Sequence, residues 1–257
     1  MQLRELTSIS EFQRCEALQQ IVWGEPTAEP TAAAYRAAVH AGALVVGAFS
    51  AETLVGFAYG FPSFVDGHVG MHSHLLAVLP EYRGHGVGQA LKWFQRTWCL
   101  ERGISQMTWT FDPLRAKNAR LNLEHLGAYV AHYYPDFYGP LGGSLNGSLP
   151  TDRALAMWVL DSARVASLAA GTQAAPVLRP SVAGLTRGDK GEPRVHDTEQ
   201  AGRIWLELPE ALDLAADFDR VLRWRLALRA VMMPLLASSY SAARFTASGY
   251  VLERSPA

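Results

Sequence analysis

The chain has 257 residues, 49% of them hydrophobic and 18% charged, with 23 basic residues against 24 acidic ones. That apolar share suffices for a packed core and excludes a wholly disordered chain. A net charge of -1 excludes reliance on a broad basic face for nucleic acid, and two cysteines, Cys15 and Cys99, exclude a disulfide scaffold or a zinc ribbon.

The length suits one to two domains. No run approaches roughly 18 apolar residues, so no membrane span is expected. The first residues lack a signal-peptide core, and a cytoplasmic protein without membrane or nucleic-acid partners is expected. In chain order, residues 2–7 read as a short strand. Ser10 ahead of Glu11, Phe12 and Gln13 gives a capping-box start to a helix. Phe12, Cys15, Leu18 and Val22 carry that helix on as one apolar stripe. Pro26 and Pro30 interrupt, and 31–41 reads as a second, alanine-rich helix. Runs 43–49 and 53–61, joined by a short polar link, predict a hairpin. Gly67 and Gly70 mark a turn before a strand at 71–79, which Pro80 ends. A helix follows from Val87, with Leu91, Phe94 and Trp98 on its buried face and Gly103 past its end. A strand at 104–111 places Met107, Trp109 and Phe111 on one face and Thr108, Thr110 and Asp112 on the other. Residues 117–126 read as a helix, 128–134 as a strand, 135–153 as a loop rich in Pro, Gly and Ser, and 154–160 as a strand. Trp23, Trp93, Trp98 and Trp109 read as core residues.

The turn Arg83-Gly84-His85-Gly86-Val87-Gly88 between strand and helix is an anion-binding arrangement. Glycines let the backbone approach a ligand, and the free N–H groups of the helix's first turn point at it. Three readings compete. A Walker loop needs Gly-Lys-Ser/Thr, which is absent. A Rossmann fingerprint needs a glycine where Gln89 stands. The third reading is a pyrophosphate site for coenzyme A.

The stretch from Val78 through Pro80 to Gly88 resembles the acetyl-CoA-binding motif of the GNAT family of N-acetyltransferases. That motif is (Gln/Arg)-x-x-Gly-x-(Gly/Ala), and every fixed position is met. Asn118-Ala119 followed by Leu126-Gly127-Ala128 resembles the family's next motif, and the order of elements fits over residues 1 to about 165. The resemblance implies an α/β (α+β) chain with a mixed, mostly antiparallel sheet flanked by helices. It also implies a fourth strand that bears a bulge and splays from the fifth. By similarity, Leu76, Ala77 and Val78 would pair with the pantetheine arm of acetyl-CoA, the cosubstrate. The N–H groups of Gly84, His85, Gly86, Val87, Gly88 and Gln89 would hold the pyrophosphate. Arg83 would add charge near a phosphate, and Asn118 would contact the cofactor from the next helix. The implied reaction is attack of an amine, on a small molecule or a peptide, at the thioester carbonyl. The alternative is a non-catalytic acyl-CoA-binding sensor or interaction protein.

The family often places a tyrosine acid four residues before the glycine of a Gly-Phe pair. Here that position is Leu123, and the pair is Gly127-Ala128. Candidate substitutes are His74, which alternation puts on one strand face with His72, Leu76 and Val78; Asp112, which otherwise caps the Pro113 turn; and Tyr138, in an aromatic segment with Tyr133, Tyr134 and Phe137. Asp152-Arg153 reads as a surface ion pair. His68, His72 and His74 are spaced for a metal, but no cysteine or carboxylate pair accompanies them, and no metal is expected.

The expected organisation is an acyl-CoA-binding domain at 1–170, a linker at 171–200, and a smaller β-α-β unit at 201–257, built as half of a degenerate second copy. In that unit 203–208 reads as a strand. Leu214, Phe218, Val221, Trp224, Leu228, Val231 and Leu235 form a long apolar helical face. Pro234 is expected to kink or fray that helix, and 241–253 reads as a final strand. The apolar face must pack on something: over the substrate side of the first domain, which is favoured, or in a homodimer. Arg223, Arg225 and Arg229 read as a solvated or ion-paired flank.

Overall fold

The computed structural model describes residues 1–24, 30–65, 67–139, 149–172, 181–198, 201–209, 212, 217–246 and 248–254. The expectations that rest on Pro26, on Leu214 and on most of the 135–153 loop lie outside them. The chain forms two compact units: Met1–Trp109 with Val159–Ser162, and Thr110–Trp158 with Ala163–Ala257.

The first unit opens with strand β1 (Gln2–Glu5) and helix α1 (Ile9–Trp23). The helix cap is Ser8, two residues before the expected Ser10. Ser8 Oγ accepts from the Glu11 N–H at 3.3 Å, and the Glu11 carboxylate accepts the Ser8 N–H at 3.0 Å. A carboxylate also suits the positive end of the helix dipole, which the neutral Gln13 of the rival box does not exploit. Helix α2 (Ala32–His40) starts at Thr31, whose hydroxyl accepts the Ala34 N–H. Strands β2 (Leu44–Ser50), β3 (Thr53–Val65) and β4 (His68–Val78) form an antiparallel meander. β4 starts at His68 rather than Met71, because Gly67 supplies the left-handed residue of the turn while Gly70 lies in the ladder opposite Ser63. Helix α3 (Val87–Leu100) and strand β5 (Gln106–Phe111) follow. Strand order in this unit is β1-β2-β3-β4-β5, with only β4 and β5 parallel. The α3 face that packs down comprises Val87, Leu91, Trp98 and Cys99, together with Lys92 and Gln95, while Phe94 is half-buried. Trp98 and Trp109 are buried; Trp23 and Trp93 are half-buried.

The second unit begins inside β5. Helix α4 (Ala116–Arg120) runs into one π turn at Leu121–His125, so the expected helix at 117–126 changes pitch midway. Strands β6 (Tyr129–Tyr134) and β7 (Arg153–Val159) pair antiparallel, and helix α5 (Ala163–Ala169) follows. The stretch expected as a linker contains β8 (Val182–Arg187) and β9 (Pro193–Val195). Then come β10 (Arg203–Glu207), α6 (Phe218–Ala237), β11 (Tyr240–Thr246) and β12 (Gly249–Arg254). The single final strand expected at 241–253 is therefore a hairpin, and α6 runs three residues past Pro234. Strand order in this unit is β7-β6-β11-β12-β10-β8-β9, all antiparallel except β8 with β10. The apolar face of α6 is buried within this unit against β6, β8, β9 and β11. Intramolecular packing thus buries the face for which a homodimer was one of two expected partners.

Candidate active site

The turn after β4 has the backbone its sequence demands. Gly84 and Gly86 hold φ of +81° and +77°, the left-handed region that costs an L-residue about 1–2 kcal/mol. Gly86 is the N-cap of α3 and supplies no side chain to cap it. The N–H groups of Val87, Gly88 and Gln89 are therefore left for an external acceptor, at the positive end of a 14-residue helix. Gly84, His85 and Gly86 are exposed. Arg83 donates from Nε to the Val78 carbonyl at 3.1 Å, tying the turn back to the end of β4.

Upstream, β4 carries a bulge. Tyr59 of β3 faces Leu75 and Gly60 faces Ser73, which leaves His74 as the extra residue. Glycine at 60 is needed for this approach: a Cβ there would lie 3.0 Å from the His72 carbonyl oxygen. The bulge reverses the side-chain phase, which corrects the expected alternation. His72, His74 and Leu75 lie on the face of Tyr59 and Phe61, with ring centroids 5.3 Å apart for Phe61–His72 and 5.6 Å for Phe61–His74. Leu76 and Val78 lie on the other face, against Gly88 of α3. Among the described residues β4 pairs with β5 only at Met71–Met107 and His72–Thr108, so the strands separate just where the bulge begins.

The histidines differ in state. His72 Nδ1 lies 3.1 Å from Thr108 Oγ1, and burial, with His74 and Lys92 nearby, pushes its pKa down to about 4. It is a neutral, structural imidazole at pH 7, whereas His74 is exposed at the bulge. On the opposite face sits a cluster that the sequence reading missed. Lys92 is 2% exposed and its ammonium lies 3.6 Å from the Trp109 ring centroid. Its Nζ also donates to Gln95 Oε1, which accepts from Ser73 Oγ as well. Burial pushes Lys92 well below the usual lysine range. Only the helical spacing 87, 91, 95, 98 hinted that polar residues share this buried face.

Asp112, Asn118 and Tyr138 belong to the second unit. Asp112 is committed: its carboxylate takes Arg225 in two bonds of 2.7 and 3.0 Å and caps the Leu114 N–H at 2.9 Å. Tyr138 Oη lies 3.2 Å from Thr110 Oγ1, and the Arg153 guanidinium lies over its ring. Asn118 is exposed on α4. The surface pair expected at Asp152-Arg153 does not exist. Asp152 is 1% exposed and accepts from Tyr133 Oη, from Arg229 Nε and Nη2, and from the Asp136 N–H. Leu123, at the position of the missing acid, is fully buried. Among the described residues no three His, Cys, Asp or Glu side chains are grouped as metal ligands would be.

The bulged fourth strand, its parting from the fifth and the uncapped glycine turn are what the sequence motif implied. Residues 8–127 match the model of the acetyltransferase (GNAT) family. That stretch is a GNAT acetyltransferase domain. Three solved structures share its fold. An aminoglycoside 6'-acetyltransferase type Ii is 19% identical, with a TM-score of 0.51 over 63% of this chain and 99% of its own. The ribosomal-protein-S18-alanine N-acetyltransferase of Escherichia coli is 17% identical, with a TM-score of 0.50 over 63% and 95%. The Salmonella typhimurium protein yncA, solved with its cofactor acetyl-CoA, is 19% identical, with a TM-score of 0.51 over 69% and 98%. No curated protein matches the sequence. A GNAT acetyltransferase domain supports an acyltransferase enzyme, with acetyl transfer as the general chemistry of that stretch. Among the described residues no helix is long and apolar enough to cross a membrane.

Proposed function

We propose that the protein transfers an acetyl group from acetyl-CoA to an amine by direct attack. The observation that carries this reading is the continuous run from the bulge at His74, along a strand edge parted from β5, into a glycine turn whose helix start has no side-chain cap. In this reading the pantetheine arm lies along Leu76, Ala77 and Val78. The pyrophosphate sits on the N–H groups of residues 84–89, with Arg83 beside it. The amine nitrogen forms a bond to the thioester carbonyl carbon, the C–S bond breaks, and the amine proton leaves to His74 or to water held by it. The thiolate takes a proton from solvent, since Leu123 has none to give. Asp112 drops out as a base because Arg225 and the Leu114 N–H occupy its oxygens. The buried free thiols Cys15 and Cys99 suit a reducing, cytoplasmic setting.

The test is amine-dependent release of coenzyme A from acetyl-CoA across a panel of small amines and peptide N-termini. His74→Ala should lower kcat at least tenfold with little change in the KM for acetyl-CoA. The buried Leu123 favours a second reading, an acyl-CoA-binding protein without turnover. Acetyl-CoA binding with no release of coenzyme A on any amine would select it.

A further inference from the structure

We propose that Lys92 and Gln95 are positioning residues: from α3 they bridge β4 and β5 where the two strands part, and so fix the bulged edge along which the pantetheine arm lies. The use of that edge rests on the acetyl-transfer reading; the atoms of the bridge all belong to the first unit. Among the described residues the parallel strands pair only at Met71–Met107 and His72–Thr108. The next residues along, Ser73 and Trp109, stand on either side of the fork with no backbone rung between them. Side chains of α3 take the place of that rung. Ser73 Oγ donates to Gln95 Oε1 at 2.9 Å, and Lys92 Nζ donates to the same oxygen at 3.4 Å. Lys92 Nζ also lies 3.6 Å from the Trp109 ring centroid and 3.7 Å from Met107 Sδ. The chain Ser73–Gln95–Lys92–Trp109 therefore ties the first unpaired residue of β4 to the first of β5. Lys92 and Gln95 can act together because residues three apart share a helix face. The same amide reaches β3: a Cβ on Gly60, where the β3–β4 register shifts, would lie 3.4 Å from Gln95 Nε2. Ser73 immediately precedes the bulged His74, so a bond that holds Ser73 also holds the bulge. Stability does not account for the cluster. Ser73, Lys92 and Gln95 are all buried, and Gln95 Nε2 has no hydrogen-bond partner among the described residues. Burial also pushes Lys92 well below the usual lysine range. Apolar side chains of similar volume would pack this face without either cost.

Titration calorimetry of the full chain with two probes reads the bridge without turnover. Acetyl-CoA engages both the glycine turn and the strand edge. Its nucleotide alone, 3'-phosphoadenosine 5'-diphosphate, keeps the pyrophosphate and lacks the pantetheine arm. Lys92→Met and Ser73→Ala break the bridge at opposite ends. Each should weaken acetyl-CoA at least tenfold and the nucleotide less than twofold. The double variant should lose no more than the larger single loss, because either break opens the same link. Lys92→Met should melt no lower than the parent, so its lost affinity is not lost fold. Ser73→Ala tests the same link should Lys92→Met fail to fold. Unchanged acetyl-CoA affinity in the folded single variants, equal weakening of the two probes, or additive losses in the double variant overturns the bridge and leaves acetyl-CoA binding standing. A wild-type chain that binds neither probe overturns the acetyl-transfer reading and the proposal with it.

Discussion

Replacing Asp152 by asparagine is the sharpest perturbation of the second unit. The carboxylate is 1% exposed and receives four hydrogen bonds, two of them from Arg229 at 2.6 and 2.8 Å. Burial alone would raise its pKa, but the bonds from Arg229, from Tyr133 and from the Asp136 N–H outweigh burial and hold it below the usual aspartate range. Breaking a buried pair costs about 3–5 kcal/mol. Arg229 keeps a quarter of its side chain exposed and can turn to water, and asparagine keeps one acceptor for Tyr133, so the lower end applies, about 3 kcal/mol. For a chain of this size that is a fall in Tm of roughly 6–12 °C. Arg229→Ala should cost at least as much, because it strands the fully buried partner. The pH dependence separates the two variants. With a depressed folded pKa, the wild-type contribution is present above the unfolded value near 4 and is lost as pH falls through the folded one. In Arg229→Ala the stranded carboxylate has a raised pKa, so its penalty shrinks as pH falls towards 4 and the gap to wild type narrows. Thermal melts followed by circular dichroism between pH 4 and 8 measure both effects. A Tm change in Asp152→Asn no larger than that of Glu192→Gln, which breaks an exposed pair with Arg194, would refute the assignment of Asp152 as a buried anchor.

Other consequences are as direct. The His72 imidazole should titrate with a midpoint near 4 by NMR, so stability falls as pH drops from about 6.5 towards 4, where the unfolded chain takes the proton first; a midpoint near 6.5 would contradict its burial. The hydrogen bonds that Glu11 accepts from the Ser8 and Thr7 N–H groups and from Arg4 outweigh burial and pull its pKa down to about 2. Glu11→Gln should therefore flatten the loss of stability between about pH 4 and 2, and an unchanged acid limb would deny the capping box. Lys92→Met should raise Tm at neutral pH, since it removes a buried amine whose charged form burial disfavours while Gln95 keeps its bond from Ser73; a large fall in Tm would show that the amine holds the core together. Gly86→Ala should cost about 1–2 kcal/mol through its left-handed φ, read as a lower Tm.

Much of the first unit was legible because its signals are local. The glycine turn, the strand before it and the helix after it are encoded within residues 71–100, and Pro80 and Gly103 mark their ends. The bulge at His74 is a property of pairing: nothing in the run from His72 to Val78 shows that Leu75 rather than His74 faces Tyr59. An alternation rule therefore put His74 on the same face as Leu76, whereas the two lie on opposite faces. The Ser8 and Ser10 caps compete in sequence, and the carboxylate of Glu11 decides between them. In the second unit the deciding contacts join Asp112 to Arg225 and Asp152 to Arg229, separations of 113 and 77 residues that no window covers. β8 and β9 were missed because a short strand broken by Gly184 carries little periodicity. The change of pitch at Leu121–His125 leaves the apolar pattern looking like an ordinary helix.

The most direct test of the central claim is a calorimetric titration of acetyl-CoA into the wild-type chain and into Gly88→Glu. A Cβ at Gly88 would meet only Leu76 and Val78 at 3.6 and 3.9 Å, so the fold can accept the side chain, while the glutamate places its negative charge on the N–H groups assigned to the pyrophosphate. One saturable site is expected in the wild type, with at least a hundredfold loss of affinity in the folded variant. Equal affinity in the two proteins, or no binding in the wild type, would contradict it.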